Sequence, residues 1–287
     1  MLKQRVITAV FLLLALIAVI TLLSSFYFSI VIALITLLAA WEWGALLGLQ
    51  AGAAKLNYLL SIAAMLIGCF LILGITPDAQ SIAHMRAGMI LFLGLLFWLA
   101  SLSPLAAYPD NSSRWNDASK MALMGVLALV PAFVGVVTLK YLMPSGYLVL
   151  ALVILVAAVD VGAYFAGVNF GSKKLAAKLS PNKTWEGVWG GMTLCFLISI
   201  AFVFLLHRYI TPLALTEIII LLTLSIGITF FGIVGDLIES MLKRNRGVKD
   251  SGALLPGHGG ILDRVDGLIA VTPLFALVMM LVLSSDS

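Results

Sequence analysis

Residues 6–48 read VITAVFLLLALIAVITLLSSFYFSIVIALITLLAAWEWGALLG. Two apolar runs, 6–23 and 26–48, lie on either side of Ser24 and Ser25, and each is close to the ~20 residues with which a helix crosses a bilayer. The pair is predicted to fold as a tight transmembrane hairpin. Lys3 and Arg5 precede the first run as they would in a signal peptide, but no small-x-small cleavage site follows, so the run is read as an uncleaved first span.

The pattern repeats outward from this hairpin. Apolar windows fall at 56–75, 87–103, 121–138, 146–167, 187–206, 213–234 and 265–283, which makes nine spans in all. Composition agrees: 62% of the 287 residues are hydrophobic and 10% charged, with mean hydropathy +1.15. Soluble domains run at about 45–50% apolar and about 25% charged. The expected fold is therefore an all-α, polytopic membrane bundle. Pro131 lacks a backbone donor and is expected to kink or shorten the fifth span. Cys69 and Cys195 stand in apolar runs without disulfide or metal-ligand spacing and read as packing residues.

Charge sets the orientation. With the N-terminus inside, fourteen cations fall on the cytoplasmic side: Lys3, Arg5, Lys55, Arg114, Lys120, Lys173, Lys174, Lys178, Lys183, Lys243, Arg244, Arg246, Lys249 and Arg264. Only Arg86, Lys140 and Arg208, three in number, fall opposite, and the C-terminus is expected outside. The sequon at Asn111 is then cytoplasmic and unused. Trp41-Glu42-Trp43 reads as an interfacial aromatic anchor without chemistry.

Polar residues concentrate in the second half. Residues 1–140 read as a transmembrane scaffold, and 141–287 as a catalytic region with cytoplasmic loops 168–186 and 235–264. Asp160 stands in mid-span, where an ionised carboxylate costs on the order of 3 kcal/mol, so it either fixes helix packing or faces a polar chamber. Tyr164 lies one turn further on. In SPNKTWEG, residues 180–187, the turn formers Ser180, Pro181, Asn182 and Thr184 give Lys183 a defined setting. Lys173, Lys174 and Lys178 read as topology signals.

Asp236, Glu239, Ser240 and Lys243 follow at i, i+3, i+4 and i+7, one stripe if the helix continues. The next residues, Ser240–Asp266, are SMLKRNRGVKDSGALLPGHGGILDRVD, and include five cations and five glycines. Asp263 and Asp266 return at i, i+3. From 235 to 266, five cations meet five acids, whereas a pure topology signal would be net positive. Carboxylates converging from two helix ends around a basic cluster suit a metal-bound phosphate. His258 is read as a phosphate donor, a general acid or a hydrogen-bonded turn residue.

Ser240, Lys243, Arg244, Lys249, Asp250, Gly252, Pro256, His258, Gly259, Gly260, Asp263, Arg264 and Asp266 stand in the order and spacing of the CDP-diacylglycerol synthase signature, that of the phosphatidate cytidylyltransferase family. The chain resembles that family specifically over roughly 160–267. SPNKTWEG, GDLIES and Asp160 with Tyr164 also resemble family segments. The resemblance implies transfer of a cytidylyl group from CTP to phosphatidate, giving CDP-diacylglycerol and pyrophosphate for phospholipid synthesis. It implies a homodimeric enzyme of the bacterial inner membrane with its site facing the cytoplasm. It also implies Mg2+, with K+ as a candidate second ion that spacing does not test, membrane lipids as surroundings and no nucleic acid.

Carried over residue by residue, Asp236, Asp263 and Asp266 correspond to metal carboxylates, and Lys243 and His258 to the nucleotide and phosphate site. The catalytic set is thus Lys243, His258, Asp263 and Asp266. Substrate contacts are expected from Asp160, Ser180, Asn182, Lys183, Ser240, Arg244, Lys249, Gly259, Gly260 and Arg264. The rivals are a polyprenol or phytol kinase and an ether-lipid cytidylyltransferase, which differ only in acceptor. A secondary transporter is disfavoured, because no inverted repeat is visible and the polar groups crowd one face.

The charge split predicts the outcome of cysteine labelling. An impermeant reagent added outside intact cells should modify Asp286→Cys and leave Lys178→Cys untouched; the opposite pattern overturns the orientation.

Overall fold

The computed structural model describes residues 14–49, 52–110, 112–252, 254 and 259–283. Helix α1 is described over 14–22, and α2 (Ser25–Leu46), α3 (Ala53–Leu73) and α4 (His84–Ala100) follow. Two short helices, α5 (Leu102–Ala106) and α6 (Ser112–Trp115), lead to α7 (Ala118–Leu142) and α8 (Tyr147–Phe170). A small antiparallel hairpin, β1 (Lys174–Ala176) with β2 (Ser180–Thr184), precedes α9 (Trp185–Tyr209), α10 (Leu215–Asn245) and α11 (Leu262–Leu283).

Eight of these stretches, with α4 and α5 taken together, are long and apolar enough to cross a membrane. The all-α bundle is as expected, and the later spans lie within a few residues of their predicted places. The expected first span lies partly outside the described residues, as do Asn111 and His258. Two elements differ from expectation. The 168–186 connection carries the hairpin, and α10 runs on through Asp236, Glu239 and Lys243 to Asn245.

Local chemistry sets the boundaries. Thr184 caps α9 by accepting from the Gly187 amide at 3.1 Å, and Asp117 caps α7 by accepting from Ser119 at 2.9 Å. Gly74 ends α3 at φ +71°, a left-handed conformation that glycine adopts without a Cβ clash. Glu186 ties the start of α9 to the hairpin: its carboxylate accepts from Ser172 Oγ at 2.6 Å and from the Lys173 amide at 3.2 Å.

Helix α7 is the core. Of its most apolar stretch 72% is buried, against 22–50% for the other spans, so it packs on protein nearly all round. Of the two expected outcomes, shortening does not occur: α7 runs on past Pro131 to Leu142. The lost ladder bond is tolerated because neighbouring helices enclose the site: a Cβ on Gly94 of α4 would stand 2.4 Å from the Pro131 ring and 3.3 Å from that of Pro273 in α11. Lys140, counted as a loop cation by sequence, is fully buried. Its ammonium donates to the carbonyls of Ile20 at 2.7 Å and Pro144 at 2.5 Å, fastening the end of α1 to the α7–α8 turn.

The α8–α9 pair makes the most intimate packing in the fold. A Cβ on Gly162 would meet the Gly190 carbonyl at 2.5 Å, one on Gly191 the Val159 carbonyl at 2.7 Å, and one on Gly187 the Ala163 carbonyl at 2.9 Å. Small residues thus let the two backbones touch, the standard substitute for a hydrophobic driving force within lipid. Gly191→Leu should force the helices apart at a cost of roughly 1–3 kcal/mol, as overpacking does. A clear fall in the thermal midpoint in detergent is expected, and an unchanged midpoint would show that the seam does not close in solution.

Candidate active site

The stripe on α10 is real. Ser240 Oγ donates to Asp236 Oδ1 at 3.3 Å, and Lys243 Nζ donates to Glu239 Oε2 at 3.1 Å. Both pairs are one helical turn apart, as an uninterrupted helix requires.

Two polar centres grow from this stripe. At the first, Lys183 reaches from β2 and sets its ammonium 2.5 Å from Asp236 Oδ2. The hairpin makes this possible, because the register pairing Lys174 with Thr184 fixes the strand that leads into α9. Lys183 and Asp236 line a cavity of about 210 Å³ with Asp160, Tyr164 and Asn182, between α8, β2, α9 and α10. Asp160 therefore belongs to the polar chamber and not to a packing bond, with Asp236 and Lys183 the charges that act on it.

The second centre lies one to two turns further along α10. Lys243 Nζ is 2.6 Å from Asp263 Oδ1, so its ammonium bridges Glu239 on α10 and Asp263 at the start of α11. The other oxygen of Asp263 accepts from the backbone amides of Ser251 and Gly260, each at 3.0 Å. Gly259 turns at φ +83° immediately before, and a Cβ there would press on Asp263 Oδ2 at 3.1 Å. One carboxylate thus closes the loop that joins α10 to α11.

Asp266 connects the centres. It sits where the two helices touch, since a Cβ on Gly235 would lie 2.5 Å from its carbonyl oxygen. Its Oδ1 accepts from the Gly267 amide at 2.8 Å, and Asp236 and Glu239 are both within electrostatic range. Glu239 Oε1 is buried without a hydrogen-bond partner among the described residues.

These oxygens bear on the expected metal. Among the described residues no three His, Cys, Asp or Glu side chains group as a metal cage, so Asp236, Asp263 and Asp266 do not form a preassembled triad. Asp263 already accepts from Lys243 and from the Ser251 and Gly260 amides, and its two oxygens keep lone-pair capacity beyond these three contacts. Mg2+ bound with phosphate needs only one or two carboxylates, with phosphate oxygens and water completing its shell. Asp236 and Asp266 fit that smaller demand, and the unpartnered Glu239 oxygen beside them is further hard-donor capacity.

The remaining sequence candidates divide. Asn182 lines the cavity, and Gly260 is held in the Asp263 turn. Ser180 pairs with Ala176 near the turn of the hairpin. Arg244, Lys249 and Arg264 are exposed, with Arg244 donating to the Val248 carbonyl at 3.1 Å.

Two residues were missed. Arg246, grouped with the basic cluster, donates from Nε to the Leu46 carbonyl and from Nη2 to the Leu47 carbonyl, both at 2.6 Å, and so caps the end of α2. Glu42, read as part of an aromatic anchor, is only 2% exposed. It accepts from Ser251 Oγ at 3.1 Å and from the Leu262 amide at 2.9 Å. Its neighbour Trp43 is buried too, donating to the Met121 carbonyl at 3.0 Å, which leaves Trp41 as the exposed ring. A signal for Glu42 was present: it is the one acid in the first 77 residues, inside an apolar run.

A phosphatidate cytidylyltransferase of Pseudomonas aeruginosa is 37% identical over 276 residues, covering 96% of each chain. One from Haemophilus influenzae is 34% identical over 288 residues, covering 96% of this chain and 98% of its own. One from Bacillus subtilis is 42% identical over 120 residues, 42% of each chain. The cytidylyltransferase family matches residues 3–282, and with relatives this similar over nearly its full length, the chain belongs to that family.

Proposed function

We propose that the protein is a phosphatidate cytidylyltransferase of the cell membrane, joining CTP and phosphatidate into CDP-diacylglycerol with release of pyrophosphate. The observation that carries this reading is the pair of ammonium–carboxylate contacts, Lys183 with Asp236 in the cleft and Lys243 with Asp263 further along α10. The site faces the cytoplasm in this reading, where CTP is available, and the working unit is a homodimer.

The chemistry asks little of a general base. A phosphate monoester has a second pKa near ~6 and is largely ionised at neutral pH. An oxygen of the phosphatidate phosphate attacks the α-phosphorus of CTP, forming the new P–O bond as the bond to the β-phosphate breaks and pyrophosphate takes the electron pair. The obstacle is repulsion between two polyanions, so charge neutralisation and alignment supply the rate. Lys183 and Lys243 rest on carboxylates, and an entering triphosphate competes for both ammoniums. Asp236, released in that exchange, would hold Mg2+ with Asp266, and the ion would supply neutralisation of the developing charge. Asp263 keeps the α10–α11 loop closed and aims Lys243. Asp160 and Tyr164 border the cleft where the lipid headgroup enters, with the acyl chains left in the bilayer.

Conversion of labelled CTP to lipid by purified protein, with phosphatidate and Mg2+ present, tests the assignment directly. Lys183→Gln and Lys243→Gln should each lower turnover on the order of a hundredfold, the usual loss for one transition-state donor. Lys174→Gln, on the exposed strand β1, should stay near wild type. Equal, small losses at all three would reduce the lysines to orientation signals.

Asp236→Asn and Asp266→Asn should leave inserted protein with little activity and a raised Mg2+ requirement, since each removes anionic charge that retains the ion. Asp110→Asn serves as the control. Asp263→Asn should lose turnover without that shift in Mg2+ dependence, which separates a positioning carboxylate from a metal-binding one. A normal Mg2+ titration for Asp236→Asn and Asp266→Asn would remove both from the metal site.

A further inference from the structure

Among the described residues none from the N-terminal half lines the cavity, yet helix α2 holds the chain between α10 and α11 at both ends. Glu42 lies one turn before the end of α2, and its carboxylate is enclosed by the loop backbone. A Cβ on Gly252 would come 2.4 Å from Glu42 Oε1, and one on Gly260 2.6 Å from Oε2. Oε2 accepts from Ser251 Oγ and from the amide of Leu262, the first residue of α11. A negative charge is favoured there, because the leading amides of a helix are unpaired and its dipole is positive at that end.

The same helix end grips the loop a second time. Arg246 follows the last residue of α10, and its guanidinium spans the Leu46 and Leu47 carbonyls. Arg246 therefore fixes where the chain leaves α10, and Glu42 fixes where it enters α11. Between these holds, the amides of Ser251 and Gly260 converge on Asp263, whose other oxygen aims Lys243. The contacts run unbroken from α2 to the ammonium: Glu42, Ser251 and Leu262, Asp263, Lys243.

A buried carboxylate is expensive unless it is well paired, and although Lys55 acts on it electrostatically, Glu42 Oε1 has no hydrogen-bond partner among the described residues. A residue needed only for folding would be more cheaply apolar. We infer that Glu42 is a positioning residue of the reaction: from the opposite half of the chain it sets the places of Ser251 and Leu262 and, through Asp263, that of Lys243. This rests on the reading of that loop as the reacting one.

The test combines loop protection with kinetics on full-length protein in detergent. Trypsin cutting after the exposed Lys249 reports loop opening without substrate. Glu42→Gln, nearly isosteric, should insert and should speed that cut by about tenfold, as loss of a local anchor lowers the cost of opening. Turnover should fall about tenfold to a hundredfold, the range for a displaced catalytic group. Ser251→Ala should move both readouts the same way by less, and the double variant should be no worse than Glu42→Gln alone. If Glu42→Gln fails to insert, Ser251→Ala with Gly260→Ala carries the test. Wild-type cleavage rates in these variants, or losses that multiply in the double variant, overturn the role. An opened loop in a chain whose Asp263→Asn variant is fully active would instead sink the catalytic reading of the loop and leave the Glu42 contact standing.

Discussion

An ammonium group set against a carboxylate from a different helix, made twice within a few turns of α10, governs how this membrane bundle builds a polar site. Neither partner is tolerable alone beside hydrocarbon, so each contact ties together elements that lipid packing would leave independent. Lys183 brings the hairpin to α10, and Lys243 brings the head of α11 to it.

The two halves of the chain divide labour differently from what their composition suggests. Polar density marks the second half as the chemical one, and the cavity lining agrees. Yet the chain between α10 and α11 is secured from α2, in the half that reads as scaffold. Helix α7, the most enclosed of the described spans, gives α2, α4 and α11 a common surface.

Much of this was legible in the residues, for physical reasons that differ by element. Spans are visible because the bilayer imposes a length and a hydrophobicity, and the α10 stripe because i, i+4 spacing sets Asp236 beside Ser240 and Glu239 beside Lys243 on one helix face. What escaped was contact between distant segments. The fates of Glu42 and Arg246 depend on chain separated from their partners by some two hundred residues, and no periodicity reports that. That α7 runs on past Pro131 was not legible either, because Gly94, which packs against its ring, is distant in sequence. Nor does spacing report that the amides of Ser251 and Gly260 converge on Asp263.

The glycine seam of α8 and α9 has a bearing on how the cleft adapts to what enters it. Val159 and Ala163 on one helix and Gly187 on the other belong at once to the seam and to the cavity wall. Where main chain lies against main chain there are no rotamers to exchange, so that wall has almost no compliance. Tyr164 shares α8 with that wall, so adjustment falls to the long side chain of Lys183, which enters the cavity from β2. The cleft is then built like a vice with one fixed jaw: main chain touching main chain holds one face in place, and a jointed side chain closes on it.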